Sequence, residues 1–569
     1  MILNKVSKHN LKFELKESEW GFILALIFCL VWVYGGQFGQ DAFLYYDDRQ
    51  VISAMEDIHS LRDYIAAFKV FKICDLQPIR DLVTWFDYSI LNWFHVSVFH
   101  LTNVFIWFVS MLGVKKLLTL NSANSRKWTW ALVLLLAVNP IYVTSVSWLS
   151  ARKHLLAACF VVWATYHFLA WLKEESGGLK PRRLFYCHFL YLLAVFSQPI
   201  IVFWPLFVYL VLLLTREMKR WKAFLPALFI MISVTMLNYY YYSSELYLHI
   251  SLGVEKFSDF YNSIPSIRLF ALGRYLFQVF VPYWTSISIY NLKNWQCLVG
   301  IFFYPLSIYF FLKRLGRTRV LAAYGFFFLM LAPVVVKMSQ IFGSDTYLLT
   351  ASFGIYFLLS EALRPRLKNR HALSVGLFLV IFIPFLLLSH ERAAVWENDA
   401  ELFALASQVE GGLDAEERYV SELMRLGRIR EAVWHAQDIL VTYPRSVAAQ
   451  GVVAYAISND PSLTTEQKVE KIYGLHFFTP AAMDFLARLE FDLKNYKSSE
   501  QLLLGIIKLA NWRTIILESK ELFAARVYVS CDLAKDTECE KKAALVQTRA
   551  APDWDYKKYE SEKKKLEGH

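Results

Sequence analysis

Residues 21–33 read GFILALIFCLVWV, thirteen consecutive positions without a charge. A helix of that composition is apolar on every side and offers no polar face to water, so it belongs in lipid or deep inside other protein. Ten similar runs follow, near 95–114, 128–147, 155–172, 184–197, 199–214, 224–242, 297–312, 319–336, 346–363 and 373–389. Most of them are long enough for a hydrocarbon core roughly 30 Å thick. With 56% hydrophobic and 17% aromatic residues among 569, the chain carries more apolar surface than a soluble core hides. Residues 1–390 therefore read as an all-α, polytopic membrane bundle of about eleven spans. The run at 21–33 has no small-residue cleavage site behind it and reads as a retained first span.

The formal charge of +11 could suggest a nucleic-acid partner, but the Lys and Arg residues sit in short clusters between the apolar runs. With the amino terminus cytoplasmic, the loops 115–127, 173–183, 216–222, 313–319 and 364–370 are all cytoplasmic and all basic, as the positive-inside rule requires. The stretch 268–288 breaks the alternation if it spans, so an interfacial or re-entrant helix held in protein is expected there. An odd span count then puts the loop 39–93 and everything after 390 on the periplasmic side of an inner membrane. A luminal placement in an endoplasmic-reticulum membrane is topologically equivalent.

From 391 to 569 the sequence turns charged and amphipathic, with no long apolar run. Its clearest unit is RYVSELMRLGRIREAVWHAQDILVTYP, residues 418–444, in which one helix ends at Leu426-Gly427, a second begins at Arg430-Glu431-Ala432 and Pro444 closes the pair. Steps of 34 from Gly427 land on Pro461 and Asn495, both in polar turn sequence, and then on Val529. That is the period of tetratricopeptide hairpins, which stack into a concave surface that binds peptides or proteins. An ordinary helical domain with coincident turns is the alternative. Cys531 and Cys539 flank the last turn and are able to pair in an oxidising compartment, or to stay as two buried thiols. The cysteines show no zinc-ligand or redox-motif spacing, and no metal is expected.

Chemistry-bearing residues gather in the first loop and the turn after the third run. LYYDDRQVIS places Asp47 and Asp48 side by side; adjacent acids in a helix or strand face different ways, so the pair reads as one catalytic carboxylate with a supporting partner. The alternative is an N-cap for the helix that follows. DLQPIRDLVTWFDYSILNWFHVSVFHLTNVFIW, residues 75–107, predicts a surface-lying helix anchored by Trp85, Phe86, Trp93 and Phe94. Arg80 at its start suits a lipid phosphate, or simply snorkels to headgroups. NPIYVTSVSWLSARKHLLAA, residues 139–158, sets Arg152, Lys153 and His154 on the side where positive charge is normally avoided. Facing Asp47 they would clamp an anionic donor; otherwise they anchor the helix.

In this order these segments resemble the transmembrane and tetratricopeptide-repeat O-mannosyltransferases and their bacterial relatives, within the polytopic GT-C glycosyltransferases that use polyprenyl-phosphate sugars. YYDDRQVI is similar to the family's acidic first-loop motif, and QPIRDLVTWFDYSILNWF with FHLTNVFIW to its loop helix and second span. NPIYVTSVSWLSARKHLLAA, SQPIIVFWPL and SDTYLLTASFGIYFLL resemble successive later segments, and RAAVWENDAELFALA the lead-in to the repeats. The stretch from about 240 to 300 is poorly matched. The family pattern has a His where Asn139 stands, a Glu at Thr144, an acid at His154, a Lys at Gln198 and an Arg at Thr346. The acidic pair, Arg80, Arg152, Lys153, Asp345 and Tyr347 remain.

The resemblance implies transfer of a sugar, mannose by the family's name, from an undecaprenyl- or dolichyl-phosphate carrier to a hydroxyl on a protein or glycan at the outer membrane face, with no prosthetic group. Asp47 or Asp48 would act as general base in a single inverting displacement, Asp47 being the first choice. Arg80, Arg152 and Lys153 would stabilise the leaving phosphate, with Asp345 and Tyr347 as further pocket residues. The repeat domain would present the acceptor. The five departures suit equally a non-catalytic scaffold whose repeats recruit envelope proteins. Transport of a lipid-linked glycan would need a polar path, and the spans hold few ionisable residues near their midpoints.

Overall fold

The computed structural model describes residues 17–39, 77–94, 98–121, 126–173, 181–243, 265–282, 294–337, 345–367, 371–397, 399–410, 413–444, 446–475 and 480–507, together with Asp48, Met55, Ile58, Ser60, 62–65 and Cys531. Regular structure among them is entirely helical. The chain divides into two compact units, the first running to Leu402 and the second starting at Phe403. The expected boundary at 390 falls inside a helix, because SHERAAV contains no breaker and the last apolar helix continues to Val395.

In the first unit the helices are α1 (Glu17–Tyr34), α2 (Pro78–Phe94), α3 (Phe99–Asn121), α4 (Arg126–Ala137), a short α5 (Val143–Ser147), α6 (Arg152–Lys173), α7 (Pro181–Ser197), α8 (Trp204–Leu214), α9 (Leu225–Ser243), α10 (Pro265–Phe280), α11 (Asn294–Leu315), α12 (Arg317–Lys337), α13 (Leu348–Leu367) and α14 (His371–Val395). Seven described segments are long and apolar enough to cross a membrane: Glu19–Phe38, Phe99–Leu120, Leu149–Lys173, Met218–Tyr240, Leu298–Leu315, Arg317–Val334 and Val375–Val395. By length and composition this is a multi-pass membrane protein. The runs at 184–197, 199–214 and 346–363 form α7, a shorter helical stretch 199–214, and α13.

Burial separates lipid-facing helices from interior ones. On α1, Phe22, Leu26, Leu30 and Val33 form a buried stripe at helical spacing, while Leu24 and Phe28 stay exposed. Val375, Val380, Ile383 and Leu387 on α14, and Phe302, Leu306 and Tyr309 on α11, are likewise exposed apolar groups, which only hydrocarbon can cover without cost. By contrast α6 is buried along most of its length and packs closely on α3 and α7. The stretch expected to be re-entrant, 268–288, overlaps α10, whose backbone approaches α11 so closely that a Cβ on Gly300 would lie 1.8 Å from the Gly273 carbonyl oxygen. Leu276–Val279 are buried.

The run 128–147, read from the sequence as one straight span, is broken. The helical pieces Trp128–Ala137 and Pro140–Ser147 meet at 44°. Pro140 has no N–H to continue the helix and its ring excludes the carbonyl four residues back, while the Asn139 side chain accepts from the Ile141 N–H and starts a new turn. Residues 138–151 thus form a buried, partly irregular connection.

The second unit begins within α15 (Asp399–Glu410) and continues through α16 (Leu413–Arg425), α17 (Ile429–Thr442), α18 (Val447–Ser458), α19 (Thr465–Tyr473), α20 (Pro480–Asp492) and α21 (Tyr496–Ile507). These last six pair as three consecutive hairpins whose first helices start 34 and 33 residues apart. Gly427, Pro461 and Asn495 all fall in the inter-helix turns; Val529 lies outside the described residues. Small residues let the helices approach: Ala432, Ala436 and Ala449 are fully buried beside Val420, Leu423 and Ile439. Cys531 is buried and disulfide-bonded, and Cys539 lies outside the described residues.

The first and third hairpins turn through the same motif. In one, Arg428 N–H donates to Leu423 and Gly427 N–H to Met424; in the other, Asn495 N–H donates to Glu490 and Lys494 N–H to Phe491. Both turns need a left-handed residue, supplied by Gly427 at φ 74° and by Lys494 at φ 65°. A side chain in that region costs about 1 kcal/mol relative to glycine. Lys494→Gly is therefore expected to strengthen the third hairpin by about that amount, and Gly427→Ala to weaken the first. Hydrogen exchange of the turn amides in the intact protein measures both.

Candidate functional site

The polar residues of the first loop and of the broken connection converge at the end of the bundle where α6 begins. Gln77, Arg80, Thr84 and Asp87 recur every three or four residues on and just before α2, with Asp81 beside Arg80, and all five are buried. The aromatic side of the same helix contains Phe86, which is exposed, and Trp85, whose indole N–H donates to the Ile58 carbonyl at 2.8 Å. Met55, Ile58 and Tyr64 pack on this helix through Leu82, Trp85 and Tyr88 and hold part of the first loop against it. The side chains of Trp93 and Phe94 lie outside the described residues.

Arg152, the first residue of α6, is fully buried and sits at the centre. Its Nη1 lies 2.7 Å from Asp87 Oδ2, its Nε donates to Asn103 Oδ1 at 2.7 Å and its Nη2 to the Phe99 carbonyl at 2.8 Å. Thr102 Oγ1 donates to the other Asp87 oxygen at 2.9 Å. Burial pushes the Asp87 carboxyl up from its ordinary range, while Arg152 and Thr102 pull it back toward the ionised form. A charge pair this deep repays its desolvation only because the guanidinium donors are so well matched.

Asp48 is also buried, and one of its carboxylate oxygens accepts from the Ser150 N–H at 2.8 Å and the Ser150 hydroxyl at 2.5 Å, two residues before Arg152. Asp48 and Arg80 both stand within electrostatic reach of Arg152. Arg80 places Nε and Nη2 at 2.7 and 2.6 Å from Asp81 Oδ1. Three of the residues singled out from sequence are thus brought together: Asp48, Arg80 and Arg152. Lys153 is half-buried on the next position of α6, and Asp47 lies outside the described residues.

A second polar chain adjoins the first. Gln77 donates to Gln198 at 3.3 Å, Gln198 Nε2 lies 3.5 Å from His154 Nε2, and the His154 ring meets Tyr347 edge-on at 5.2 Å. Asp345, fully buried, accepts from Gln278 on α10 at 2.7 Å. Asn139 donates to the Tyr356 hydroxyl, which donates to the Val279 carbonyl, both at 2.8 Å. Asn139, Thr144, His154, Gln198 and Thr346 are all buried, and Asn139, His154 and Gln198 take part in these contacts.

Asp81, Thr84 and Asp87 were not among the residues expected from sequence, because the aromatics of α2 dominate its pattern. The signal was present as a polar stripe at helical spacing, QPIRDLVTWFD, on a helix otherwise built of aromatics and aliphatics. Asn103, Ser150 and Gln278 carried no such signal, since each is a single polar residue whose partners are remote in sequence.

These features define a multi-pass membrane protein with a buried charged cluster at one end of its bundle, followed by a unit of helical hairpins. Protein-family models, curated proteins and solved structures give no match to the chain.

Removing one member of the buried pair leaves an uncompensated charge, so Asp87→Leu and Arg152→Met are each expected to destabilise the protein by about 3–5 kcal/mol. The double variant should cost clearly less than the two together, because two apolar side chains leave no orphan. Unfolding of the full-length protein in micelles, read as a double-mutant cycle, measures the coupling.

Proposed function

We propose that the chain is a glycosyltransferase that moves a sugar from a polyprenyl-phosphate carrier to a hydroxyl at the outer face of the membrane. The observation that supports this best is the convergence of Asp48, Arg80 and Arg152 from separate segments into one cluster at the end of a membrane bundle. The sequence resemblance to the tetratricopeptide-repeat O-mannosyltransferases supplies the reaction class. On this reading the bundle has eleven spans, with α7, the stretch 199–214, α13 and the broken pair added to the seven long helices, and it lies in the inner membrane with its amino terminus cytoplasmic.

The two adjacent acids divide the work. Asp48 is committed to Ser150, so it fixes the first loop on the bundle, and Asp47 is the general base that takes the proton of the attacking hydroxyl. The leaving phosphate needs no proton; it needs positive potential, which Arg80, Arg152 and Lys153 provide. Arg152 also orients Asp87 and so keeps α2 in place. Asp345 and Tyr347 are further pocket residues on this reading. The hairpin unit acts as a tetratricopeptide-like module, supported by its 34- and 33-residue steps, and its covalent attachment raises the concentration of a bound acceptor protein near the site.

One observation favours a second reading. Arg152 and Arg80 each pair with a carboxylate of the same cluster, a self-neutralised arrangement that a scaffold with no donor would also keep. Incubating the purified protein with radiolabelled sugars on a panel of polyprenyl-phosphate carriers, with periplasmic extract as acceptor, separates the two. The expected result is labelled acceptor with at least one donor, reduced roughly 100- to 10,000-fold by Asp47→Asn and less by Asp48→Asn. Absence of labelling with every donor, or labelling indifferent to both substitutions, supports the scaffold.

A further inference from the structure

At the end of α6 opposite the charged cluster, a cavity of 160 Å³ opens between α6, α8, α12 and α13. Its lining runs along α6 from Val162 to Lys173, about 16 Å at the helical rise, and is aliphatic and aromatic for most of that length, with Leu169, Val211 and Phe326 among its walls. One end is different. Lys173 closes α6, and Thr318 and Arg319 stand in the first turn of α12, whose N-terminal amides add positive potential.

The charges at this end leave a surplus. Arg319 engages Glu361 through Nη1 alone, at 3.2 Å, and Lys173 donates one hydrogen bond to the Leu120 carbonyl at the end of α3. Among the described residues, two cations against one carboxylate leave a single positive charge beside a long apolar groove. Arg319 keeps its Nε and Nη2 edge, a fork that matches two phosphate oxygens. Basic pockets between membrane helices suit anionic headgroups for this reason.

We propose that this groove is a binding site for an anionic glycerophospholipid, its phosphate held by Arg319, Lys173 and the Thr318 hydroxyl and one acyl chain lying along α6. A single phosphodiester charge neutralises the surplus, and the acyl chain covers apolar walls in the manner of a packed side chain. A neutral zwitterionic lipid brings its own cation and gains nothing from the surplus. The site is independent of the sugar-transfer reading, since it lies about 30 Å along α6 from Arg152.

The test is native mass spectrometry of the full-length, delipidated protein titrated with phosphatidylglycerol, with phosphatidylcholine of the same acyl chains, and with inorganic phosphate. The expected result is preferential binding of one phosphatidylglycerol, weakened roughly fivefold for each cation removed in Lys173→Gln and Arg319→Gln. Ala322→Phe keeps both cations and fills the apolar part of the groove, so it should weaken the same binding and serves if a charge variant fails to fold. Equal affinity for phosphatidylcholine overturns the proposal. So does binding of inorganic phosphate with comparable affinity, which would mark a free-anion site, or lipid affinity unchanged in Ala322→Phe or in the folded charge variants.

Discussion

The backbone between Val138 and Ala151 is buried but not continuously helical, and in the interior of a membrane protein every such peptide group must find a partner within the protein. The rest of the first unit is arranged around that requirement. Trp107 donates to the Ala137 carbonyl, Ser389 to Val138, and Asn103 to Val146, while Gln37 bridges the Ser147 hydroxyl and the Ala393 carbonyl. Helices α1, α3 and α14 therefore each contribute a side chain, or a short extension, to one segment. Asp48 completes the set by accepting the Ser150 N–H. Without these groups the break at Asn139-Pro140 would leave several unsatisfied polar atoms, each costing of order 1–3 kcal/mol.

The break also explains why charge collects here. A continuous helix would have carried residues 148–154 away from α2 and the first loop; the bend lets Arg152 start a new helix with its guanidinium among Asp87, Asn103 and the Phe99 carbonyl. The cluster is close to neutral within itself, with Asp48, Asp81 and Asp87 against Arg80 and Arg152, and Lys153 next to it. On the proposed chemistry this balance is useful. A site that stabilises charge only as the carrier phosphate leaves should not hold so strong a field that it traps the product anion.

The bundle was legible from sequence because lipid demands uniformity: runs such as 21–33 have no other home, and the described helices α1, α3, α6, α9, α11, α12 and α14 coincide with them. The hairpin steps were legible because the turns at Gly427, Pro461 and Asn495 carry polar and helix-breaking residues in a fixed rhythm. The bend within 128–147 was written in Asn139-Pro140, yet apolar residues continue on both sides and hydropathy alone passes over it. Burial of Arg152 was not legible at all, since its neutralising partner Asp87 stands 65 residues earlier on a helix whose sequence is dominated by aromatics. Composition reports which solvent a segment meets; pairing between distant polar residues depends on packing that periodicity does not encode.

Helix α6 ties these threads together. It is buried along most of its length, starts in the charged cluster and ends at the basic mouth of the apolar groove, and its middle meets α3 and α7. Gly113 on α3 shows how tight that middle contact is: an added Cβ would lie 2.8 and 2.9 Å from atoms of Val162 and Trp163. A helix packed that closely moves as a rigid body or not at all, because dense interiors do not deform continuously. The charged cluster and the groove lie about 30 Å apart along this one helix, so a single rigid element holds two separate polar environments.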